Sequence, residues 1–101
     1  MRVVWTETAI GHLMDIYKYI ARDSTRYAKR MVDRITARSK QIASFPESAP
    51  VVVEYADPTI REVIEGPYRV IYRVQSDAVV VLAVIHGARL LPPEPPGEGD
   101  A

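Results

Sequence analysis

The sequence predicts an α+β fold in which an antiparallel helical hairpin packs on a mainly antiparallel sheet of three to four strands. Up to about residue 45, apolar residues recur every three or four positions, as in amphipathic helices. From Pro50 the period changes to two, which is typical of strands. Residues 78–85 are apolar on both faces, which indicates a central strand. The element order β-α-α-β-β-β places both helices against one face of the sheet.

The N-terminal half predicts one short strand and two helices. Residues 2–5 are β-prone, and Thr6 is a suitable N-cap for a helix that ends near Ala21. Ser24 caps a second helix, which ends before Pro46 because proline disfavours α geometry in the preceding residue. The predicted apolar face of the first helix consists of Ile10, Leu13, Met14, Tyr17, Ile20 and Ala21.

The C-terminal half predicts the remaining strands. Residues 51–55 are expected to form a strand, and residues 60–65 form either a separate strand or its continuation. Residues 68–74 alternate, with Tyr68 on one face and Arg69 on the other, and a hairpin turn joins them to residues 78–85.

Length and charge indicate one domain with a tail. The chain of 101 residues is long enough for a single core, which we assign to residues 1–91. Residues 92–101 are rich in proline and acidic, and we predict them to be disordered. The formal net charge is zero, but without residues 90–101 the chain keeps 13 basic and 10 acidic residues, a body of about +3.

The composition excludes several kinds of site. The absence of cysteine excludes disulfides, a thiolate zinc site and a cysteine nucleophile, and two histidines alone make a poor metal site. We therefore expect neither a metal nor a cofactor. No segment approaches the roughly 20 apolar residues that span a bilayer, so we expect a cytoplasmic protein without a membrane partner.

A run of basic residues lies on the second helix. Between residues 22 and 40 there are seven basic and two acidic residues. The favoured interpretation is a solvated outer face, and the alternative is a surface for phosphates or an acidic partner. The basic residues of this run are Arg22, Arg26, Lys29, Arg30, Arg34, Arg38 and Lys40.

A second polar group lies on the predicted strands. If the last two strands pair, the start of one lies near the end of the other, so Arg69 and His86 are expected close together. Such a cluster suits metal-free phosphate chemistry, whereas the structural alternative is cross-strand ion pairing with a hydrogen-bonded strand end. The candidate functional cluster consists of Arg61, Glu62, Arg69, Arg73, His86 and Arg89. A third feature is surface hydrophobicity. A sheet that only two helices cover is expected to leave an apolar groove, and residues 51–55 are expected to form an exposed edge strand; either would accept a partner segment.

The segments Ile60–Val74 and Val81–Arg89 strongly resemble the RelE/ParE superfamily of bacterial toxins, and the likeness extends over nearly the whole chain. The resemblance implies the toxin of a type II toxin–antitoxin module, associated with plasmid stabilisation and held in a hetero-oligomer by a cognate antitoxin. RelE-like members cleave mRNA on the ribosome without a metal, and ParE-like members poison DNA gyrase. By position, Arg69 and His86 match catalytic residues of RelE-like nucleases.

The resemblance favours the ParE side. The residue after His86, a catalytic tyrosine in several of those nucleases, is Gly87 here. A body of about +3 is also modest for a protein that grips RNA alone. The expected function is therefore gyrase inhibition and not catalysis, with ribosome-dependent mRNA cleavage as the alternative and a non-toxic binding module as the second alternative.

Overall fold

The computed structural model describes residues 1–97, which form two helices and one four-stranded sheet. The sheet has the strand order β1-β4-β3-β2, in which β1 runs parallel to β4 and the other pairs are antiparallel. The predicted α+β class and helical hairpin are confirmed. The elements are β1 Arg2–Trp5, α1 Glu7–Ala21, α2 Thr25–Ser44, β2 Ile60–Glu65, β3 Tyr68–Val74 and β4 Ala78–His86.

Side-chain caps fix the start of both helices, as predicted. The Thr6 hydroxyl accepts a hydrogen bond from the amide of Ala9 at 3.1 Å. The Ser24 hydroxyl accepts one from the amide of Tyr27 at the same distance. Each satisfies a backbone donor that has no partner within its helix. Phe45 caps the end of α2, directly before the predicted stop.

The last two strands form a hairpin that contains a β-bulge. Tyr68 faces His86, and Ile71 faces Ala83, but the next residue of β3, Tyr72, faces Val81. The bulge therefore inserts Leu82 into β4, and it packs with Ala83 in one cluster. Because β4 contains this extra residue, the alternation of its side chains between the two faces shifts at the bulge. Counting every second residue across the bulge therefore gives the wrong face.

Different structures cover the two faces of the sheet. The helices cover one face, with a core formed by Ala9, Ile16, Ile35, Tyr68, Val70, Val81 and Val84. Irregular segments cover the other face, where Val52, Ile60, Ile71, Leu82 and Ala83 form a second buried cluster. Tyr55 and Leu91 pack against this second cluster from outside the sheet. The sheet is thus buried on both sides although helices lie on only one.

The prediction of a strand at residues 51–55 is wrong. Val51 makes one isolated antiparallel bridge to Arg61, after which the chain enters a turn. The amides of Tyr55 and Ala56 both donate to the carbonyl of Val52, which closes this turn. Bending here lets Val52, fully buried, and Tyr55 pack on the sheet, which a straight edge strand would not allow. Residues 60–65 are accordingly a separate strand, β2.

The apolar face of α1 is only partly buried. Ala9 and Ile16 are its buried residues. Ile10, Met14 and Tyr17, which the periodicity assigns to the core, are 45%, 54% and 38% exposed. The helix is therefore rotated relative to the prediction, and one edge of its apolar face meets solvent.

The segment after β4 runs back over the second face of the sheet. Leu91 packs on the apolar cluster there, and the Tyr55 hydroxyl donates to the carbonyl of Pro92 at 2.9 Å. Gly97, at φ +74°, comes so close that a Cβ would lie 2.6 Å from the Leu82 carbonyl oxygen. The remainder of the predicted disordered tail, residues 98–101, lies outside the described residues, and the domain boundary at residue 91 stays a prediction. Neither helix in the described part of the chain is long and apolar enough to cross a membrane.

Candidate functional site

Arg69 lies at the centre of the predicted cluster, clamped between two carboxylates. Its Nε and Nη2 donate to Glu62 at 2.6 and 2.8 Å. Its Nη1 and Nη2 donate to Glu54 at 2.8 and 3.0 Å. Glu62 comes from β2, whereas Glu54 comes from the turn that replaces the predicted strand. Two bidentate pairs therefore hold one guanidinium.

Two of the three members of this clamp, Arg69 and Glu62, are largely shielded from solvent, and Glu54 is half exposed. The side chains of Arg69 and Glu62 are 14% and 12% exposed, and that of Glu54 is 46% exposed. Hydrogen bonds from Arg69 lower the pKa of Glu54 from 4.5 to about 2. Hydrogen bonds to Glu54 and Glu62 in turn raise the pKa of Arg69 above its ordinary value. The formal charges of one arginine and two glutamates sum to one negative charge at this site.

This charge balance decides what Arg69 can bind. Four of the five N–H bonds of a guanidinium are committed in the two bidentate pairs. A phosphate would have to displace a carboxylate and approach a site of net negative charge. In this structure Arg69 attaches the 51–56 turn to the sheet and is not presented to a ligand.

The other two arginines of the strands are also held by this chain. Arg61 Nη1 donates to the carbonyls of Glu47 at 3.0 Å and Ala49 at 2.8 Å. Arg73 Nη1 donates to the Thr59 hydroxyl at 2.6 Å and contacts Asp57 at 3.3 Å. Both arginines secure the irregular segment between α2 and β2.

His86 does not join Arg69, and the expectation that the two lie together is wrong. His86 faces Tyr68 across the hairpin, and their rings meet edge to face with centroids 5.7 Å apart. Tyr68 belongs to the core under the helices, whereas Arg69, the next residue, points to the opposite face with Glu62. His86 Nδ1 accepts from the amide of Ala88 at 3.1 Å, which is the hydrogen-bonded strand end of the structural alternative.

The candidate cluster therefore divides between the two faces of the sheet. Glu62, Arg69 and Arg73 lie on the face covered by irregular segments. His86 lies on the helical face, and the amide of Arg89 closes the turn after it by donating to the His86 carbonyl at 3.0 Å. Arg61 faces Tyr72, whose side chain packs with α2, so it also belongs to the helical side.

His12 is a polar residue at the sheet that the sequence interpretation missed. Its Nδ1 accepts a hydrogen bond from the amide of Val84 at 3.2 Å, at the edge of β4 beyond the end of β1. Burial lowers the pKa of His12, and Arg89 adds to this effect whereas Asp15 opposes it. The neutral imidazole thus takes the place of a strand partner. The only signal in the sequence is a histidine beside Leu13 on a mainly apolar helix.

Within residues 1–97 no three histidine, aspartate or glutamate side chains come together as a metal site.

A surface groove of about 560 Å³ opens between the end of α2 and β2. Phe45 and Ile64 line it and are 73% and 58% exposed.

Comparisons with known proteins agree with the fold. Residues 3–91 match the model of a family described as the ParE toxin of the type II toxin–antitoxin system parDE. A curated protein of Caulobacter vibrioides named Toxin RelE2 is 34% identical over 90 residues, which are 88% of this chain and 98% of that protein.

Two solved structures are similar in architecture. One, titled "Chromosomal ParDE TA system from P. aeruginosa", superposes with a TM-score of 0.71 at 21% identity and covers 85% of this chain and 95% of its own. A "YoeB/ParE toxin from Agrobacterium tumefaciens" gives a TM-score of 0.55 at 20% identity, over 85% of this chain and 98% of its own. At these identities the two structures support the fold alone.

Proposed function

The chain belongs to the ParE toxin family of type II toxin–antitoxin systems, and on that premise we propose that it acts by inhibiting DNA gyrase and not by cleaving RNA. As a toxin of the ParE/RelE type it has a cognate antitoxin as its implied partner. The two activities differ in what they demand of the toxin. Cleavage needs exposed groups on a phosphate, whereas gyrase inhibition needs only a surface that binds the enzyme.

The observation that carries the proposal is the carboxylate clamp on Arg69. The resemblance to RelE-like nucleases assigns this arginine to the scissile phosphate, for which it must be free to donate to phosphate oxygens. Here Glu54 and Glu62 accept four hydrogen bonds from it. An arginine that is paired with two carboxylates is not available to stabilise the negative charge that develops on a phosphate.

The position of His86 supports the same proposal. A general acid and a phosphate-binding arginine must reach one substrate at once, within hydrogen-bond distance. His86 and Arg69 lie on opposite faces of the sheet. Gly87 further removes the side chain that the nuclease pattern places after the histidine. No pair among these three positions meets the geometric demand for cleavage.

The antitoxin completes the proposed function. We place the toxin in the cytoplasm, in a hetero-oligomer with an antitoxin that blocks the gyrase-binding surface. The exposed apolar residues Ile10, Met14 and Tyr17 on α1 and the groove beside Phe45 supply apolar contact area for protein partners.

One observation favours the second candidate, a ribosome-dependent mRNA endonuclease. The curated relative at 34% identity carries the name RelE2. If this chain were a nuclease, Arg69 and His86 would be its catalytic residues, and ribosome binding would first have to release Arg69 from both carboxylates.

Purified toxin incubated with gyrase, ATP and relaxed plasmid tests the proposal. We expect supercoiling to stop or cleaved DNA to accumulate, and added antitoxin to reverse the effect. His86→Gln is the matched variant, because His86 is exposed and lies on the opposite face from Arg69. It should inhibit gyrase as the wild type does.

A translation extract supplies the contrary outcome. Unaffected gyrase together with codon-dependent mRNA cuts that His86→Gln abolishes would establish the nuclease instead. Normal growth on overexpression without antitoxin would point to the remaining alternative, a binding module without toxicity.

A further inference from the structure

The outer face of α2 carries exposed basic residues that the proposed function does not use. Of the basic run at residues 22–40, Arg22 caps the end of α1 and Arg38 is partly buried, so neither belongs to this face. The segment from residue 22 to residue 40 holds seven basic and two acidic residues, a surplus of five positive charges. The rest of the chain holds six basic and eleven acidic residues, an excess of five negative charges. The zero net charge is thus the sum of two opposite charges that occupy different parts of the chain.

Several of these cations have no acidic partner. Arg34 pairs with Glu65 at 2.6 Å, and Lys29 pairs with Asp33 at 2.8 Å. By contrast, within residues 1–97 no ion pair or side-chain hydrogen bond involves Arg26, Arg30 or Lys40, all of which are exposed. The guanidinium of Arg22 lies 6.0 Å from the ring centroid of exposed Tyr19.

The geometry of this face fits an extended polyanion. Arg26 and Arg30 lie one turn apart, about 6 Å along the axis, and Lys40 lies about 15 Å further on. All three project away from the buried residues of α2, Ala28, Ile35, Ser39 and Ile42. Arg26 and Arg30 lie close enough to contact neighbouring phosphates of one nucleic-acid strand, and Lys40 would reach a phosphate further along the strand. Asp33, which lies on the same side of the helix, is paired with Lys29.

We propose that this outer face of α2, through Arg26, Arg30 and Lys40, binds the phosphate backbone of duplex DNA. The proposal rests on gyrase inhibition only for its setting, since gyrase is itself bound to DNA when it acts. The contact would be independent of sequence, because phosphates carry none. It would also direct the acidic remainder of the toxin away from the DNA.

Two features favour duplex DNA over other polyanions. An acidic protein would require an apolar centre for its interface, but the positions between Arg26 and Lys40 on this side of the helix are Lys29, Asp33 and Ala37. The exposed ring of Tyr27 lies about 100° around the helix from Arg26, at the margin of the face. Single-stranded RNA is bound by aromatic platforms on open sheets, and both faces of this sheet are covered. A line of cations that needs only regularly spaced phosphates fits the duplex.

Fluorescence anisotropy with a labelled duplex of about 30 bp tests this contact without gyrase. We expect full-length toxin to bind in the micromolar range at low salt. Three phosphate contacts predict a slope of log affinity against log salt near −3, and Arg26→Gln/Arg30→Gln should lower its magnitude by about 2. Arg30→Gln should weaken binding, whereas Arg2→Gln, which makes the same charge change at the exposed first residue of β1, should leave the affinity within about twofold.

Three outcomes would overturn the proposal. The first is an unchanged salt slope in a folded Arg26→Gln/Arg30→Gln variant, and the second is an equal loss of DNA affinity in Arg30→Gln and Arg2→Gln. The third is tighter binding of single-stranded RNA than of duplex DNA of the same length. Circular dichroism verifies that each variant is folded. Because gyrase is absent, a failure here does not affect the proposed gyrase inhibition, and a failed supercoiling assay would not affect the measured DNA affinity.

Discussion

The arginines of the sheet and the two outer arginines of α2, Arg26 and Arg30, are the same kind of side chain in opposite environments. Arg69 and Arg61 each donate hydrogen bonds to acceptors of this chain, and the side chain of Arg69 is 14% exposed. Arg26 and Arg30 are exposed, and the structure describes no acidic partner for either within residues 1–97. The strand arginines hold the fold together, whereas Arg26 and Arg30 have no acidic partner in the described part of the chain and are open to another molecule. The position of the hydrogen-bond acceptors, carboxylates for Arg69 and backbone carbonyls for Arg61, therefore separates the structural arginines from the exposed ones.

The largest effect expected from this division is at Arg69. Arg69→Ala leaves Glu54 and Glu62 facing each other without a cation, so we expect a loss of about 3 kcal/mol in the free energy of unfolding. Urea denaturation at pH 7 measures it. A stability equal to that of the wild type would mean that the clamp contributes nothing to the fold.

Arg61 should show a smaller effect of the same kind. Arg61→Ala leaves the carbonyls of Glu47 and Ala49 without their donor, so we expect a loss of about 2 kcal/mol in urea denaturation. Arg2→Ala is the control, since its contact with Asp77 at 3.6 Å is exposed. Equal losses in the two variants would contradict the structural assignment of Arg61.

The pH dependence of stability should report the carboxylate clamp. The folded pKa of Glu54, about 2, lies below its ordinary 4.5, so its contribution is complete above about pH 5 and is lost as the pH falls towards 2. Because Glu54 is half exposed, that contribution should be less than about 1 kcal/mol. Urea midpoints between pH 6 and pH 2 should fall less steeply for Glu54→Gln, and a parallel decline in both proteins would exclude this origin.

The smallest effect on stability is expected in the helix. Arg26→Gln/Arg30→Gln should change the free energy of unfolding by less than about 0.5 kcal/mol, because no contact described within residues 1–97 depends on either side chain. The same urea experiment verifies it. A loss as large as that of Arg61→Ala would mean that these arginines also serve the fold.

Most of the fold follows from local patterns in the sequence. Apolar residues spaced three or four apart identify both helices, and alternating apolar residues identify the strands. Thr6 and Ser24 mark the helix starts because their hydroxyls satisfy free backbone amides. The strand expected at residues 51–55 fails because burial of Val52 and Tyr55 on the sheet overrides β propensity. The rotation of α1 depends on long-range packing, which the period alone does not specify.

The candidate site is harder to predict than the fold for two reasons. The face of the sheet to which each side chain points depends on the exact strand register, and one partner of Arg69 comes from a distant turn. The hairpin was predicted correctly, but it is Tyr68 that faces His86, and Arg69, one residue later, must therefore point to the other face. Cross-strand ion pairing, the structural alternative for this cluster, does join Arg69 to Glu62. Glu54 was missed, because only the tertiary placement of the 51–56 turn brings it to the guanidinium.

The central claim is that Arg69 stabilises the fold and takes no part in the proposed inhibition of gyrase. Its most direct test replaces all three residues of the clamp at once. In Glu54→Gln/Glu62→Met/Arg69→Met no uncompensated charge remains, so the variant should fold, as verified by circular dichroism and urea denaturation. The measurement is inhibition of gyrase supercoiling by this variant over a range of toxin concentrations. Inhibition at the wild-type concentrations is the predicted result. A folded variant that no longer inhibits gyrase would contradict it, because Arg69 or its carboxylates would then act on the target themselves.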